Sequence, residues 1–204
     1  AGAIAAAEAG LRAGHRDLLS FDMGGTTAKL CVIDDGQPLK THEFEVDRVP
    51  QRLGRQMLIE NPSCYLAYAD NEMSETDFFA QLIRRTSCGL LLDINNIVVT
   101  TGNLGGDPRE WLSQIDPEWV GEIHLAGHTT EMHDSGPLYI DDHGSPVGEA
   151  AWMLYLDFVS AHGTKPTLIE WDTNTPDFAT YMVEAHKAQA ILDATPEAGH
   201  VEAA

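Results

Sequence analysis

Positively charged residues are scarce in this sequence. Lysine and arginine together number 12 against 32 aspartates and glutamates, so the net charge is -20. Nucleic acids and anionic membrane surfaces repel a chain of this charge, and we expect neither as a partner. Long apolar runs are also lacking. No run reaches the roughly 18 residues of a membrane-spanning helix, and no basic segment precedes an apolar one, so we expect neither an anchor nor a signal peptide.

Cysteine is the next scarce residue type. The three cysteines, Cys31, Cys64 and Cys88, are odd in number and show no Cys-x-x-Cys spacing. This pattern argues against a disulfide framework and against a thiolate zinc site. It is typical of reduced thiols in a cytoplasmic protein, which is the location we expect.

Short apolar runs, by contrast, are present, and five of them end at a side chain able to bind a metal ion. A buried parallel strand has this appearance in sequence, and α/β folds carry their chemistry at the carboxyl ends of such strands. The runs are Met57-Leu58-Ile59 before Glu60, Leu90-Leu91-Leu92 before Asp93, Gly121-Glu122-Ile123 before His124, Tyr139-Ile140 before Asp141 and His143, and Thr167-Leu168-Ile169 before Glu170.

These side chains, together with Asn95, form a set of carboxylates, imidazoles and one amide. Such a set suits iron, manganese or zinc, and its carboxylates can bridge more than one ion. Taken singly, a carboxylate after a strand is more often a helix cap or an ion-pair partner, and Asp93-Ile94-Asn95-Asn96 also fits an Asx-turn. Because candidate ligands recur at the ends of successive predicted strands, we expect a metal site. We expect His128 to lie beside that site and not to bind the metal.

Strand and helix signals alternate over residues 57–193. Ser74 and the acidic Asp77 predict the start of one helix, and Asp107-Pro108 predicts the start of a short second one. A third helix is predicted over residues 149–161, and Thr175-Pro176 is expected to begin a last helix that ends near Leu192. Helices that follow strands in this way predict a parallel sheet, open or closed.

Both ends of the chain have other patterns. An alanine-rich helix is predicted over residues 3–13, and strands are predicted at residues 18–22, 28–33 and 42–46. Together they form a β-meander rather than a β/α unit, so residues 1–47 are predicted to be a separate domain. Residues 48–193 form the β/α part, and residues 194–204 are expected to be a frayed tail.

Residues 48–192 resemble the multinuclear non-haem iron-dependent oxidases, the family that includes the methanobactin-biosynthesis oxidase. The resemblance implies a TIM-type β/α barrel, of which this chain contains the C-terminal five or so units, and two or three irons at the carboxyl ends of its strands. The resemblance rests on five motifs that occur in the same order as in the family: Glu60-Asn61-Pro62-Ser63, Leu91-Leu92-Asp93-Ile94-Asn95-Asn96, Gly121-Glu122-Ile123-His124-Leu125-Ala126-Gly127-His128, Ile140-Asp141-Asp142-His143 and Leu168-Ile169-Glu170-Trp171-Asp172.

The same resemblance implies roles for individual residues. Glu60 would bridge two irons. Asp93, His124 and Glu170 would bind one of them, and Asn95, Asp141 and His143 would bind another. The family uses these irons and O2 to modify cysteines of a ribosomally made precursor peptide, which a small partner protein usually presents. An oxidoreductase with these two partners is therefore implied.

One part of the family pattern has no counterpart in this sequence. The family's barrel begins with three further strands, two of which supply histidines to the remaining iron. We therefore expect fewer irons here, and we expect activity to be impaired or lost. We expect the sheet edge left by the missing strands either to be covered by pairing with the N-terminal meander or to drive oligomerisation.

Residues 1–47 are similar to part of the hydantoinase A/oxoprolinase family, through Gly14-His15-Arg16, residues 20–29 and residues 41–46. In such ATPase folds an Asp-x-Gly-Gly-Thr hairpin binds nucleotide phosphate through backbone N–H groups and threonine hydroxyls. The chain would then be a fusion of two fragments that join near residues 46–49. The vestigial phosphate motif comprises Asp22, Gly24, Gly25, Thr26 and Thr27.

Three functions remain open from the sequence. They are an iron-dependent peptide-modifying oxidase, an inactive metal-binding remnant and a fragment of an ATP-dependent amidohydrolase. Oxygen consumption by the iron-loaded chain with a cysteine-containing peptide separates the first two. Thermal stabilisation by ATP would support the third.

Overall fold

The computed structural model describes residues 10–16, 18–24, 27–35, 37–38, 56–67 and 69–195, and the chain divides into two compact units, Ala1–Glu45 and Val46–Ala204. Within those residues, no helix has the length and apolar character needed to cross a membrane.

The first unit contains an antiparallel sheet of three strands, β1 (Leu18–Gly24), β2 (Thr27–Asp34) and β3 (Gln37–Pro38), in the order β1-β2-β3. Strands β1 and β2 correspond to the first two strands of the predicted meander. The predicted third strand, at residues 42–46, lies outside the described residues. So does most of the predicted N-terminal helix, of which residues 10–12 are helical.

The second unit alternates strands and helices. Four of its strands form one parallel sheet, and this confirms the α/β fold expected of a partial TIM-type barrel. The elements in chain order are β4 (Leu58–Glu60), α1 (Glu75–Thr86), β5 (Gly89–Asp93), α2 (Ile94–Leu104), α3 (Pro108–Ser113), a 3-10 turn (Pro117–Trp119), β6 (Val120–Ala126), β7 (Thr129–His133), β8 (Gly136–Ile140), α4 (Glu149–His162), β9 (Thr167–Glu170) and α5 (Phe178–Ala194). The order of the parallel strands is β4-β5-β6-β9.

Polar side chains begin most of these helices. Ser74 and Asp107 each accept a hydrogen bond from a backbone N–H of the first turn, as the sequence predicts for α1 and α3. The predicted start of α5 at Thr175-Pro176 was wrong by two residues. Asp177 caps that helix by accepting from the Thr180 N–H, because its carboxylate reaches an N–H group that the helix itself leaves free.

Helix α2 was not predicted. It begins directly after β5, at residues whose pattern also fitted an Asx-turn, and its interior holds Ile97, Val98 and Val99. β-branched residues have low helix propensity, but all three are buried here, and packing overrides the propensity. The Asp93 carboxylate begins the helix by accepting from the Asn96 N–H at 2.7 Å.

Strands β7 and β8 form an antiparallel hairpin that is not part of the parallel sheet. The prediction that Tyr139-Ile140 ends a fifth parallel strand was therefore wrong. A two-residue turn at Asp134-Ser135 reverses the chain, and Gly136 follows it with a φ of 122°. Glycine adopts this conformation without strain, so the turn is compatible with the sequence.

The two faces of the parallel sheet differ in composition, because successive side chains of a strand point to opposite faces. One face is buried in the core with helix residues such as Trp152 and Tyr155. The alternate positions carry Asp93, His124 and Glu170 on the opposite face, so the packing of the core also fixes the direction of these polar side chains. The core-facing strand residues are Leu90, Leu92, Ile123, Leu125 and Ile169.

Candidate metal centre

Four side chains converge at the carboxyl end of the parallel sheet: Glu60, Asp93, His124 and Glu170. One ligand atom of each lies within 4.8 Å of the ligand atoms of the others. Asp93 and His124 are opposite each other in the register of β5 and β6, and Glu170 lies at the end of β9. The structure therefore brings together four of the side chains that the strand-end pattern predicts as ligands.

Asn61 holds two of these strand ends in place. It is 1% exposed, its Nδ2 donates to the carbonyl oxygen of Asp93 at 2.9 Å, and its Oδ1 accepts from the Asp93 N–H at 2.9 Å. This double contact ties the residue after Glu60 to the end of β5. Asn61 was not predicted to support the site, because its partner lies 32 residues away and no local pattern indicates that contact.

Asp141 contacts the other two predicted ligands, Asn95 and His143. Asp141 Oδ1 accepts from Asn95 Nδ2 at 2.9 Å and lies 2.8 Å from His143 Nε2. The loop after β4 contributes two further contacts, since Ser63 Oγ donates to Asp141 Oδ2 at 2.9 Å and the Asp141 N–H donates to the Tyr65 hydroxyl at 2.8 Å. Neither Ser63 nor Tyr65 was predicted to contribute to the site.

Glu170 contacts both groups of ligands. Its Oε1 lies 3.2 Å from His124 Nδ1, and its Oε2 lies 3.2 Å from His143 Nδ1. The resemblance assigns a bridging role to Glu60, and that role stays a prediction. The geometry places Glu170 as a second carboxylate with its two oxygens turned to different histidines.

Asp142 orders the loop that carries His143. Its carboxylate accepts from the Thr129 N–H at 3.0 Å and from Thr129 Oγ1 at 2.6 Å, which joins the loop to the start of β7. The His143 carbonyl accepts from the Asp172 N–H at 2.9 Å. These contacts hold His143 at a φ of 47°, a left-handed conformation that few residues other than glycine adopt.

Burial and mutual contact change the pKa values within the cluster. His124 and His143 lower the pKa of Glu170 to about 2. Burial opposes the charge of His143, but the carboxylates of Asp141 and Glu170 outweigh it and raise the pKa of His143 to about 11. Burial raises the pKa of Asp93 to about 7, against the hydrogen bond from Asn96. Protons therefore occupy part of the cluster at neutral pH, and a cation that binds must displace them.

Three buried atoms of the cluster that could bind a metal ion make no hydrogen bond within the described residues: Asp93 Oδ2, His124 Nδ1 and His143 Nε2. The contacts of His143 Nε2 with Asp141 Oδ1 and of His124 Nδ1 with Glu170 Oε1 have the length of hydrogen bonds but not their angles. Unsatisfied buried polar atoms are costly, and a bound ion is one explanation for them. The residues present therefore fit a metal ion, and carboxylates with imidazoles fit iron, manganese or zinc.

The predicted phosphate motif can be placed only in part. Asp22 and Gly24 belong to β1 and Thr27 begins β2, with Gly24 opposite Thr27 in the register. Gly25 and Thr26 lie outside the described residues. Phosphate binding by this hairpin stays a prediction.

The fold and the cluster define a partial TIM-type α/β protein with a carboxylate and histidine site suited to metal ions. Residues 30–193 match the family described as RiPP precursor modification enzyme MbnB/TglH/ChrH, and the chain belongs to this family. A RiPP is a ribosomally made peptide that is modified after translation. The matched segment includes residues 30–47, and it lends no support to the hydantoinase resemblance proposed for that stretch.

Several curated relatives are UPF0276 proteins. One from Rhizobium meliloti (strain 1021) is 41% identical over 184 residues, which cover 86% of this chain and 60% of that protein. One from Caulobacter sp. (strain K31) is 44% identical over 153 residues, covering 75% and 54%. One from Chromobacterium violaceum is 42% identical over 159 residues, covering 78% and 56%. The chain thus spans little more than half the length of these relatives.

Proposed function

We propose that this chain is part of an iron-dependent oxidoreductase that modifies cysteines in ribosomally made precursor peptides. The observation that carries the proposal is the cluster of Glu60, Asp93, His124 and Glu170. Its buried atoms include potential metal-binding atoms that make no hydrogen bond within the described residues. Membership of a family of peptide-modifying enzymes supports it.

Iron is the ion that we propose for the cluster. Carboxylates and imidazoles suit iron, and an oxidation that uses O2 needs a metal that changes its oxidation state, which zinc does not. Bound iron would supply that redox chemistry. The residues that would hold one ion are Glu60, Asp93, His124 and Glu170, and those that would hold another are Asn95, Asp141 and His143.

Neighbouring residues would orient these ligands and manage their protons. His143 Nδ1 lies 3.2 Å from Glu170 Oε2, and this contact would orient the imidazole while Nε2, which makes no hydrogen bond in the described part of the chain, binds the ion after losing any proton it carries. Asp172 Oδ2 lies 3.6 Å from the same Nδ1, and its side chain is 70% exposed. Asp172 would therefore add a negative charge on the solvent side of this imidazole.

The substrate and partners belong to the same proposal. We propose a cysteine-containing precursor peptide as substrate and a small protein that presents it. Strands β4 and β9 each pair on one side only within the described parallel sheet, which supports contact with further barrel strands or with a second copy. We also propose that the chain is the C-terminal part of such a barrel, and that its activity alone is impaired.

A second candidate is a metal-binding remnant without turnover. The observation that favours it is the composition of the cluster, which within the described residues includes no counterpart of the histidines that the resemblance assigns to the remaining iron. The remnant would bind iron through the same side chains but would lack the residues that complete the catalytic site.

Anaerobic loading with ferrous iron followed by oxygen-electrode measurements separates the two candidates. The oxidase proposal predicts that a cysteine-containing peptide accelerates O2 consumption and that its serine counterpart does not. Bound iron with equal O2 consumption for both peptides would favour the remnant. A Glu60→Ala variant serves as the control, because it removes a ligand while leaving the core intact.

A further inference from the structure

His128 makes a contact whose hydrogen-bonding direction follows by elimination. Asn95 Nδ2 donates to Asp141 Oδ1 at 2.9 Å, so the NH2 group of the amide faces that carboxylate. The amide oxygen of Asn95 then faces His128 Nδ1 at 2.8 Å. Because an amide oxygen also only accepts, His128 Nδ1 carries a hydrogen and donates it to Asn95.

Packing holds the ring of His128 in the orientation that this contact requires. Its centroid lies 5.0 Å from that of Tyr139, with 46° between the ring planes. Asn103 fixes Tyr139 through two backbone contacts of 2.8 Å, one donated by Asn103 Nδ2 and one accepted by Asn103 Oδ1. Gly102 allows the close approach, because a Cβ there would lie 2.0 Å from the tyrosine ring.

Helix α2 therefore carries both the residue that accepts the hydrogen bond from His128 and the residues that hold Tyr139 against the His128 ring. Asn95 lies in its first turn, and Gly102 and Asn103 lie near its end, where they hold the ring that packs against His128. A rigid element thus fixes the donor and the amide relative to each other.

We propose that His128 is a positioning residue that sets the orientation of the Asn95 amide for the second metal ion. The inference rests on the proposed function, which assigns Asn95, Asp141 and His143 to that ion. The hydrogen donated by His128 occupies one lone pair of the Asn95 oxygen and leaves the other for a cation. Without that donor, only the contact with Asp141 Oδ1 orients the amide. Binding of Asp141 to the same ion would compete with that contact, and the amide could then turn its NH2 group, which has no lone pair, towards the metal.

Two conservative variants test this role. Asparagine places an N–H near the position of histidine Nδ1, whereas glutamine places its amide near the position of Nε2. We would titrate the wild type, His128→Asn, His128→Gln and His128→Ala with ferrous iron under anaerobic conditions, in competition with a chelator of known affinity. His133→Ala is the control, because the His133 side chain is 51% exposed and lies at the far end of β7.

The expected result is specific to the second ion. His128→Gln and His128→Ala should bind the second equivalent about 10-fold more weakly or worse, as is typical when a residue that orients a ligand is lost. The first equivalent should bind as in the wild type. His128→Asn and His133→Ala should bind both equivalents as the wild type does. Circular dichroism checks that each variant is folded, and the asparagine and glutamine variants suffice if His128→Ala is not.

The other outcomes overturn the inference in distinguishable ways. Equal weakening in His128→Asn and His128→Gln would mean that the ring acts through packing alone. Retention by His128→Gln with loss by His128→Asn would make His128 a ligand through Nε2. Wild-type binding of two equivalents with no change in any variant would refute this inference and leave the proposed function intact. Wild-type binding of fewer than two equivalents would refute the two-ion assignment itself.

Discussion

Asp93 is the residue on which the fold and the site both depend. It is fully buried at the end of β5, its Oδ1 begins helix α2 by accepting from the Asn96 N–H, and its backbone pairs with the side chain of Asn61. Its Oδ2 makes no hydrogen bond among the described residues, and one of its two oxygens lies within 4.8 Å of the ligand atoms of Glu60, His124 and Glu170. A single side chain therefore joins a helix start to a candidate ligand position.

The raised pKa of Asp93 predicts how the metal-free protein responds to pH. The folded chain holds the Asp93 proton up to a pKa of about 7, whereas the unfolded chain loses it near pH 4 (about the usual value). The proton therefore stabilises the fold below about pH 4, and this contribution is lost as the pH rises to about 7. The urea midpoint of the metal-free chain should fall over that range by more than that of Asp93→Asn, which stays neutral. Equal falls would contradict the raised pKa.

The assigned roles of two ligands predict unequal losses of metal. Glu60 would serve two cations as a bridging carboxylate, whereas Asn95 would serve one through its amide oxygen. Glu60→Ala should therefore retain less iron per chain than Asn95→Ala when both are measured by elemental analysis after anaerobic loading. Equal losses from the two variants would contradict the bridging assignment and would leave Glu170 as the better candidate, since its oxygens face two histidines.

At the scale of elements, Asn61 is the connection between the ends of β4 and β5. Replacing it with alanine removes both of its hydrogen bonds and leaves the Asp93 N–H and carbonyl unsatisfied in a buried position. We expect Asn61→Ala to lower the free energy of unfolding by about 1–3 kcal/mol, measured by urea denaturation. The exposed Asn71→Ala is the matched control and should change little. A loss no larger than the control's would show that water satisfies these groups.

The parallel strands and most helix starts could be predicted from the sequence because their signals are local. Thr167–Glu170 was predicted with the bounds that β9 has, and Ser74 was predicted as the residue that caps α1. Helix α2 and the β7–β8 hairpin could not be predicted in this way. Burial decides the conformation of Ile97–Val99. Tyr139 pairs with Thr130 in β7, and the sequence of β7 contains no apolar run that would predict a strand.

The residues of the site, like the elements of the fold, could be predicted only where their sequence signal is local. Strand-end carboxylates and histidines are recognisable in sequence, because each follows an apolar run. The contacts of Asn61, Asp142 and His128 depend on which loops meet across the sheet. No local pattern carries that information, so these residues appear only once the strands have been placed.

At the scale of the whole molecule, the two units differ in architecture. The unit Val46–Ala204 contains the parallel sheet and all the clustered ligands, whereas the unit Ala1–Glu45 contains the antiparallel sheet. The family match begins at residue 30 and so extends into the first unit. The proposed domain boundary near residue 47 stays a prediction, as does the fusion with a second family.

Iron content per chain decides whether the clustered side chains form a metal site, and elemental analysis after anaerobic expression and purification with ferrous iron measures it. We expect two irons per chain, held by the cluster around Glu60, Asp93, His124 and Glu170 and by the adjacent set around Asp141. A folded chain that binds no iron would contradict it. Membership of the family would then describe the ancestry of this chain and not a working metal site.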